Sequence, residues 1–105
     1  MNRIANAFSF FLVEGRSMAP TLASGDVVLA SSLLSVRTGD MVVLQDPQAA
    51  GRILVKRVAG VAAEGEQYWL EGDNAAASRD SRSFSWVPKT LMRGRVWKIL
   101  PSRVS

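Results

Sequence analysis

The chain has 105 residues, 48% of them hydrophobic, with no cysteine, no histidine and a formal net charge of +4. That length describes one small domain, and the missing residue types exclude a disulfide framework, thiolate and imidazole metal sites, and every catalytic scheme built on an imidazole base. A basic balance suits nucleic acid, an anionic membrane surface or an acidic partner, but no basic run forms a stripe, so solvated surface is the default reading.

Ile4 to Val13 is a largely apolar stretch of ten residues, half of the ~20 that a spanning helix needs. Ala5-Asn6-Ala7 has the small-x-small form of a cleavage site but lies before the phenylalanine-rich part of the stretch rather than after it, so a removable signal peptide is not expected. The stretch reads as a first strand or helix packed on the core. Its phenylalanines, Phe8, Phe10 and Phe11, offer a second reading, a patch that touches a membrane or a partner.

Gly15-Arg16-Ser17-Met18-Ala19-Pro20-Thr21-Leu22 follows. Gly15 is permissive backbone beside Ser17 and lets another backbone approach. Pro20 fixes its own φ and biases Ala19 toward extended geometry. A serine on such a bend keeps its N–H free for a developing oxyanion; it is equally an ordinary polar loop serine. With histidine absent, an activated serine here would need a lysine as its base.

The remaining segments read as short strands between turns. Val27–Ala30 follows Ser24-Gly25-Asp26, and Met41–Leu44 follows Thr38-Gly39-Asp40 and ends at Asp46-Pro47. Ile53–Ala59 is rich in β-branched residues between Gly51 and Gly60. Tyr68–Leu70 precedes Gly72-Asp73-Asn74, and Arg95–Leu100 lies between Gly94 and Pro101. A helical turn over Ala75–Ser78 is weakly indicated, and no long amphipathic helix follows residue 15. The pattern predicts an all-β, mainly antiparallel domain of barrel or sandwich type.

There are three lysines, Lys56, Lys89 and Lys98. Alternation sets Leu54, Lys56 and Val58 on one strand face, and Val96, Lys98 and Leu100 on another. An inward lysine loses hydration, which favours its neutral form and suits it to act as a base near neutrality; an edge lysine would instead reach to water. Periodicity does not choose between Lys56 and Lys98, and Lys89 falls in a loop. In the segment Gly72 to Arg82, Asp80 and Arg82 can pair, and Ser78 and Ser81 supply hydroxyls able to orient an amine.

Ser17-Met18-Ala19-Pro20-Thr21-Leu22, Val55-Lys56-Arg57-Val58 and Gly72-Asp73-Asn74 through Ser78-x-Asp80-Ser81-Arg82, in this order, resemble the three sequence boxes of the signal peptidase I superfamily of Ser/Lys proteases. The resemblance covers roughly residues 12–96. It implies a small signal-peptidase-like or repressor-protease-like β-barrel-type domain over 14–105, after the apolar segment 1–13. It implies Ser17 as nucleophile, Lys56 as base, Ser78 as hydrogen-bond partner of the amine, an Asp80–Arg82 ion pair, and Gly15, Met18 and Pro20 as supports of the serine turn. No metal and no organic cofactor are implied.

Only 15 residues separate Lys56 from Gly72. That compactness is similar to the nickel-type superoxide dismutase maturation proteases. It implies removal of an N-terminal propeptide from such a dismutase, with any nickel belonging to the substrate. The expected place is the cytoplasm, because neither a signal nor a spanning segment is read, or the membrane periphery through Phe8, Phe10 and Phe11. The runner-up is a membrane-associated signal peptidase cutting after Ala-x-Ala. Two positions depart from the family: Gly15 stands where many members carry serine, and Phe84-Ser85 where many carry Phe-Gly. Repressor-type self-cleavage fits poorly, because Ala50-Gly51 and Ala59-Gly60 both lie after Ser17. A non-catalytic nucleic-acid module using Tyr68, Trp69, Trp86 and Trp97 is the reading from a different class; nucleic acid is not an expected partner.

Overall fold

The computed structural model describes residues 8–102. Residues 4–7 of the apolar start lie outside them. Seven strands, β1 (Phe8–Leu12), β2 (Val27–Ser31), β3 (Met41–Gln45), β4 (Ile53–Ala62), β5 (Gln67–Glu71), β6 (Val87–Pro88) and β7 (Met92–Leu100), form one sheet in the order β1-β2-β7-β3-β4-β5-β6. All pairings are antiparallel. The sheet curls into a half-barrel, the all-β class that the short strands and Gly/Asp turns predict. The helix α1 (Ser81–Phe84) is a single turn.

The curl gives the sheet apolar cover on both faces. Successive side chains of a strand point to opposite faces, and β3 uses both. Val43 joins Val13, Met18, Leu22, Val28 and Ala30 in one cluster. Val42 and Leu44 join Val58, Tyr68, Leu70 and Val87 in the other. This explains why Met41-Val42-Val43-Leu44 shows no polar alternation.

The connection from β1 to β2 carries Ser17. Its neck is closed by Val13 N–H donating to Asp26 O and Gly25 N–H donating to Val13 O, both at 2.8 Å. Met18 and Leu22 anchor it in the first cluster. The serine thus sits on a loop that brings its own core residues.

Three local features differ from the sequence reading. Gly60 does not end β4: the strand continues to Ala62 across a bulge between Val58 and Gly60, where Trp69 and Trp86 each come within 3.6 Å of where a Cβ would stand. The two-residue β6 and the one-turn α1 are too short to leave a periodic signal. Of the three phenylalanines, Phe11 packs against the first cluster, while Phe8 and Phe10 are 51% and 74% exposed, with Leu12 at 62% on the same strand face. Tyr68 is buried, and Trp69 meets Trp86 edge-to-face at 5.3 Å. No helix among the described residues is long and apolar enough to cross a membrane.

Leu44 is fully buried at the centre of the sheet. Leu44→Ala is expected to lower unfolding free energy by about 2–5 kcal/mol, read by chemical denaturation; a change below 0.5 kcal/mol, on the order of a surface substitution, would contradict this core.

Candidate active site

Lys56 is 2% exposed, on the β4 face it shares with Leu54 and Val58 and opposite Val42 of β3. Lys98 and Lys89 are both exposed. Burial therefore separates the three lysines where alternation alone does not. Burial is also the largest influence on the Lys56 amine and pushes it below the ordinary lysine value; Arg79 and Arg82 push the same way, and Asp80 and Asp46 oppose them.

The antiparallel count along β4 and β5 pairs Val58 with Leu70 and Arg57 with Glu71, so Gly72 arrives beside Lys56 as the ladder ends. From there the chain runs through a 3-10 turn at Ala75–Ala77 to Ser78. Lys56 Nζ donates to Ser78 Oγ at 3.0 Å, and Ser78 Oγ donates to Asp80 Oδ2 at 2.6 Å. The serine has one hydroxyl proton, given to the carboxylate, so its lone pair faces the amine.

Asp80 is wholly buried and its acceptor sites are filled. Oδ2 also takes Gly72 N–H at 2.7 Å and Arg82 Nη2 at 2.6 Å, and Oδ1 takes Arg82 N and Nε. Burial alone would raise its carboxyl, but the bonds from Arg82, Ser78 and the backbone hold it well below the usual carboxylate range. Asp80 also caps α1. Ser81, the other hydroxyl that the sequence offers to an amine, accepts from Leu70 N–H instead, at 2.8 Å.

The turn Gly72-Asp73-Asn74 clasps the serine loop. Asn74 N–H donates to Ser17 O at 2.8 Å, Asn74 Nδ2 to Arg16 O at 3.1 Å, and Asp73 N–H reaches Met18 Sδ at 3.4 Å. Thr21 Oγ1 and Arg57 both donate to Asp73. The close approach expected at Gly15 occurs at Gly72. A Cβ there would stand 2.2 Å from Ser78 Oγ and 2.6 Å from Ser17 O, whereas Gly15 has open space and instead needs its φ of +82°. The Ser17 main chain and Ser78, the partner of Lys56, thus converge on one glycine. Among the described residues the Ser17 N–H and hydroxyl have no hydrogen-bond partner, Lys56 included. Pro20 is exposed and its peptide bond with Ala19 is cis.

A cleft of about 700 Å³ opens beside Ser17. One wall is Phe10 to Gly15, the other Ala50 to Val55. Among the described residues both walls carry unpaired strand edge: β1 pairs with β2 alone, and β4 before Arg57 pairs with β3 alone. Such edges offer main-chain donors and acceptors to an extended chain.

Sequence reasoning missed the Asp46–Arg79 ion pair and the Asp73 hub. Asp46-Pro47 carries a turn signal, but no local pattern assigns a partner 33 residues away.

The sequence profile described as signal peptidase, peptidase S26, matches residues 3–66, which include Ser17 and Lys56 but stop short of Gly72 to Arg82. Mitochondrial inner membrane protease subunit 1 of Xenopus tropicalis is 34% identical over 109 residues, covering 81% of this chain and 64% of that protein. Mitochondrial ATP-independent inner membrane protease subunit 1a of Arabidopsis thaliana is 34% identical over 116 residues, covering 81% and 68%. The human subunit 1 is 32% identical over 115 residues, covering 86% and 68%. The chain spans about two thirds of the length of these curated relatives.

Two outcomes follow from this geometry. Gly72→Ala is expected to cost about 1–3 kcal/mol of stability through overpacking and, in a crystal structure, to move Ser78 out of reach of Lys56; an unchanged Lys56–Ser78 bond would refute the crowding. Asp80 has a depressed carboxyl, so its stabilisation is full above the ordinary value of 3.8 and is lost as pH falls toward its own lower value. Asp80→Asn should therefore flatten the acid side of a stability-against-pH curve between about pH 5 and pH 2, measured by denaturation at each pH.

Proposed function

Because the chain belongs to the peptidase S26 family of signal peptidases, we propose that it is a serine endopeptidase in which Ser17 is the nucleophile and Lys56 its general base. The observation that carries this reading is a lysine 2% exposed whose amine donates to Ser78, the same hydroxyl that closes on Gly72 together with the Ser17 carbonyl, in a chain without histidine or cysteine. An amine kept from water is readily neutral and accepts a proton.

Ser17 Oγ attacks the scissile carbonyl while Lys56 takes its proton. The C–N bond breaks as the ammonium protonates the leaving amine, and an acyl-Ser17 ester remains. Lys56 then deprotonates a water, which hydrolyses the ester and restores the serine. Ser78 fixes the direction of the amine, with Asp80 and Arg82 holding Ser78. Gly15 cannot supply a hydroxyl to the oxyanion, so the Ser17 N–H serves there. A serine hydroxyl not yet bonded to its base is common before substrate binds.

The substrate lies extended in the cleft, bonded by main chain to β1 and β4. The relatives are named as inner membrane proteases, which favours a signal-peptidase substrate, cut after Ala-x-Ala, over a nickel-type superoxide dismutase propeptide. The same names, with Phe8, Phe10 and Leu12 exposed on an edge strand, support work at a membrane surface.

The test is incubation with a secretory precursor bearing an Ala-x-Ala site and with a propeptide-bearing nickel superoxide dismutase, reading each product's N-terminus by mass spectrometry. Wild type should cut the precursor, and Ser17→Ala and Lys56→Ala should each lose about 10³-fold or more. Cleavage of the dismutase alone would restore the maturation reading; cleavage that survives both variants would end the Ser/Lys account. The rate should also rise with pH as Lys56 loses its proton. With its amine lowered by burial, that limb should lie below the titration of a free lysine. A profile flat in pH would contradict the lysine base.

A further inference from the structure

A second cleft, of about 450 Å³, shares no lining residue with the one beside Ser17. Its walls are the connection that leaves β2, the β4–β5 turn and the first residues of β7. Strand register fixes the face on which it lies. Arg95 of β7 stands opposite Ser31 of β2 and Val42 of β3. Val42 belongs to the cluster that holds Tyr68. Residues opposite each other across a ladder share a face, so Ser31, Arg95 and Tyr68 are on one side of the sheet.

Three cations line this cleft, Lys89, Arg93 and Arg95, against one lining carboxylate, Glu64. Arg95 is partly matched: its Nε lies 3.7 Å from Asp40 Oδ2, and its Nη1 donates to Ser35 O at 3.3 Å. Arg93 donates only to a neutral acceptor, Gln45 Oε1, at 2.7 Å. Lys89 is exposed, and among the described residues its ammonium has no partner. Two positive charges therefore face the cleft without a carboxylate of their own.

Tyr68 is an independent sign of a ligand. It is only 6% exposed, yet among the described residues its hydroxyl makes no hydrogen bond. A buried phenol usually finds a partner. No fully buried side-chain oxygen among the described residues lacks one, so the small exposed part of Tyr68 includes its oxygen. The cleft that Tyr68 lines is where that oxygen opens. A free donor at the floor and two unmatched cations at the wall suit an anion.

The chemistry selects which anion. A phosphate monoester carries a charge of about −1.5 to −2 and three acceptor oxygens. Lys89 and Arg93 match that charge, and a guanidinium fork spans two oxygens at once. A carboxylate brings a single charge and leaves one of the two cations unmatched. We propose that this cleft is a binding site for a phosphate monoester, with Lys89 and Arg93 as its cations and the Tyr68 hydroxyl as a donor from the floor. Two sources share this chemistry: a soluble phosphate ester, and the headgroup of a phosphatidic-acid type lipid. For the second, Leu33 and Leu34, 61% and 37% exposed on the rim, and Phe8, opposite Ser31, offer apolar contact beside the site. None of these residues takes part in the Ser17–Lys56 scheme, so the site stands whether or not the chain cleaves a peptide.

The test uses the full chain labelled with ¹⁵N. It is titrated with glycerol 3-phosphate at constant ionic strength, with acetate as the control anion. It is also sedimented with phosphatidylcholine vesicles, with and without phosphatidic acid. Glycerol 3-phosphate should move the amide signals of Ser31 to Val36 and of Met92 to Arg95 saturably, and acetate should not. Tyr68→Phe, Lys89→Gln and Arg93→Gln should each raise the dissociation constant about tenfold. Lys98→Gln, which removes one charge outside the cleft, should leave it unchanged. Tyr68→Phe keeps the ring and loses only the oxygen, and thermal unfolding confirms that each variant is folded. If Tyr68→Phe does not fold, the two exposed cations still decide the matter. Vesicle binding that needs phosphatidic acid and falls in the same variants supports the site and assigns the lipid as its source. Saturable binding of glycerol 3-phosphate alone supports it with a soluble source. Binding of neither probe, equal binding of acetate, or a loss in Lys98→Gln as large as in Lys89→Gln would overturn the proposal.

Discussion

A lysine ammonium is expensive to bury, and the site is built around one that is buried. Lys56 lies on β4 among Leu54, Val58 and, across the ladder, Val42. Keeping it charged there would demand a carboxylate of its own. The carboxylate joined to it through Ser78 is already saturated: Asp80 accepts from Ser78, Gly72 and Arg82. What reaches the amine is a serine oxygen, a neutral acceptor. A neutral partner tolerates a neutral amine, and a base must be neutral to work. With Lys56 as the proposed base, the arrangement of Ser78, Asp80 and Arg82 meets that requirement.

Gly72 has its own explanation. The serine loop and the turn that leads to Ser78, the partner of Lys56, pass almost in contact there. The crossing leaves no space for a Cβ, and the Asn74 and Asp73 bonds lock it. Met18 ties the serine loop to the sheet's core at the same point. Fold and site are therefore not separable here: the first cluster that stabilises the sheet also fixes the serine backbone.

Much of the fold was legible because β3, β4 and β7 announce themselves as apolar runs between glycine and aspartate turns. Gly60 misled, because a glycine inside a strand can mark a bulge under a large ring as readily as an end. β6 and α1 were hidden by their length. Within the site, Ser17, Lys56, Ser78, Asp80 and Arg82 were marked by a family resemblance, while the geometry that distinguishes Lys56 from Lys98 is burial, which alternation cannot report. Asp46 and Arg79 were illegible for another reason. Each looks like surface punctuation in its own segment, and only the closing of β3 beside residues 78–82 makes them partners. The third phenylalanine shows the same limit: alternation in β1 turns Phe11 inward and leaves Phe8 and Phe10 out.

The central claim is that the Lys56 amine delivers Ser17 to a carbonyl. Reaction with an activated peptide ester, followed by acid quench and peptide mapping by mass spectrometry, tests it without reference to the natural substrate. The account predicts one acyl adduct, on Ser17, formed in a rapid burst by wild type and lost in Lys56→Ala. An adduct on another residue, or one on Ser17 that forms equally fast without Lys56, would contradict it.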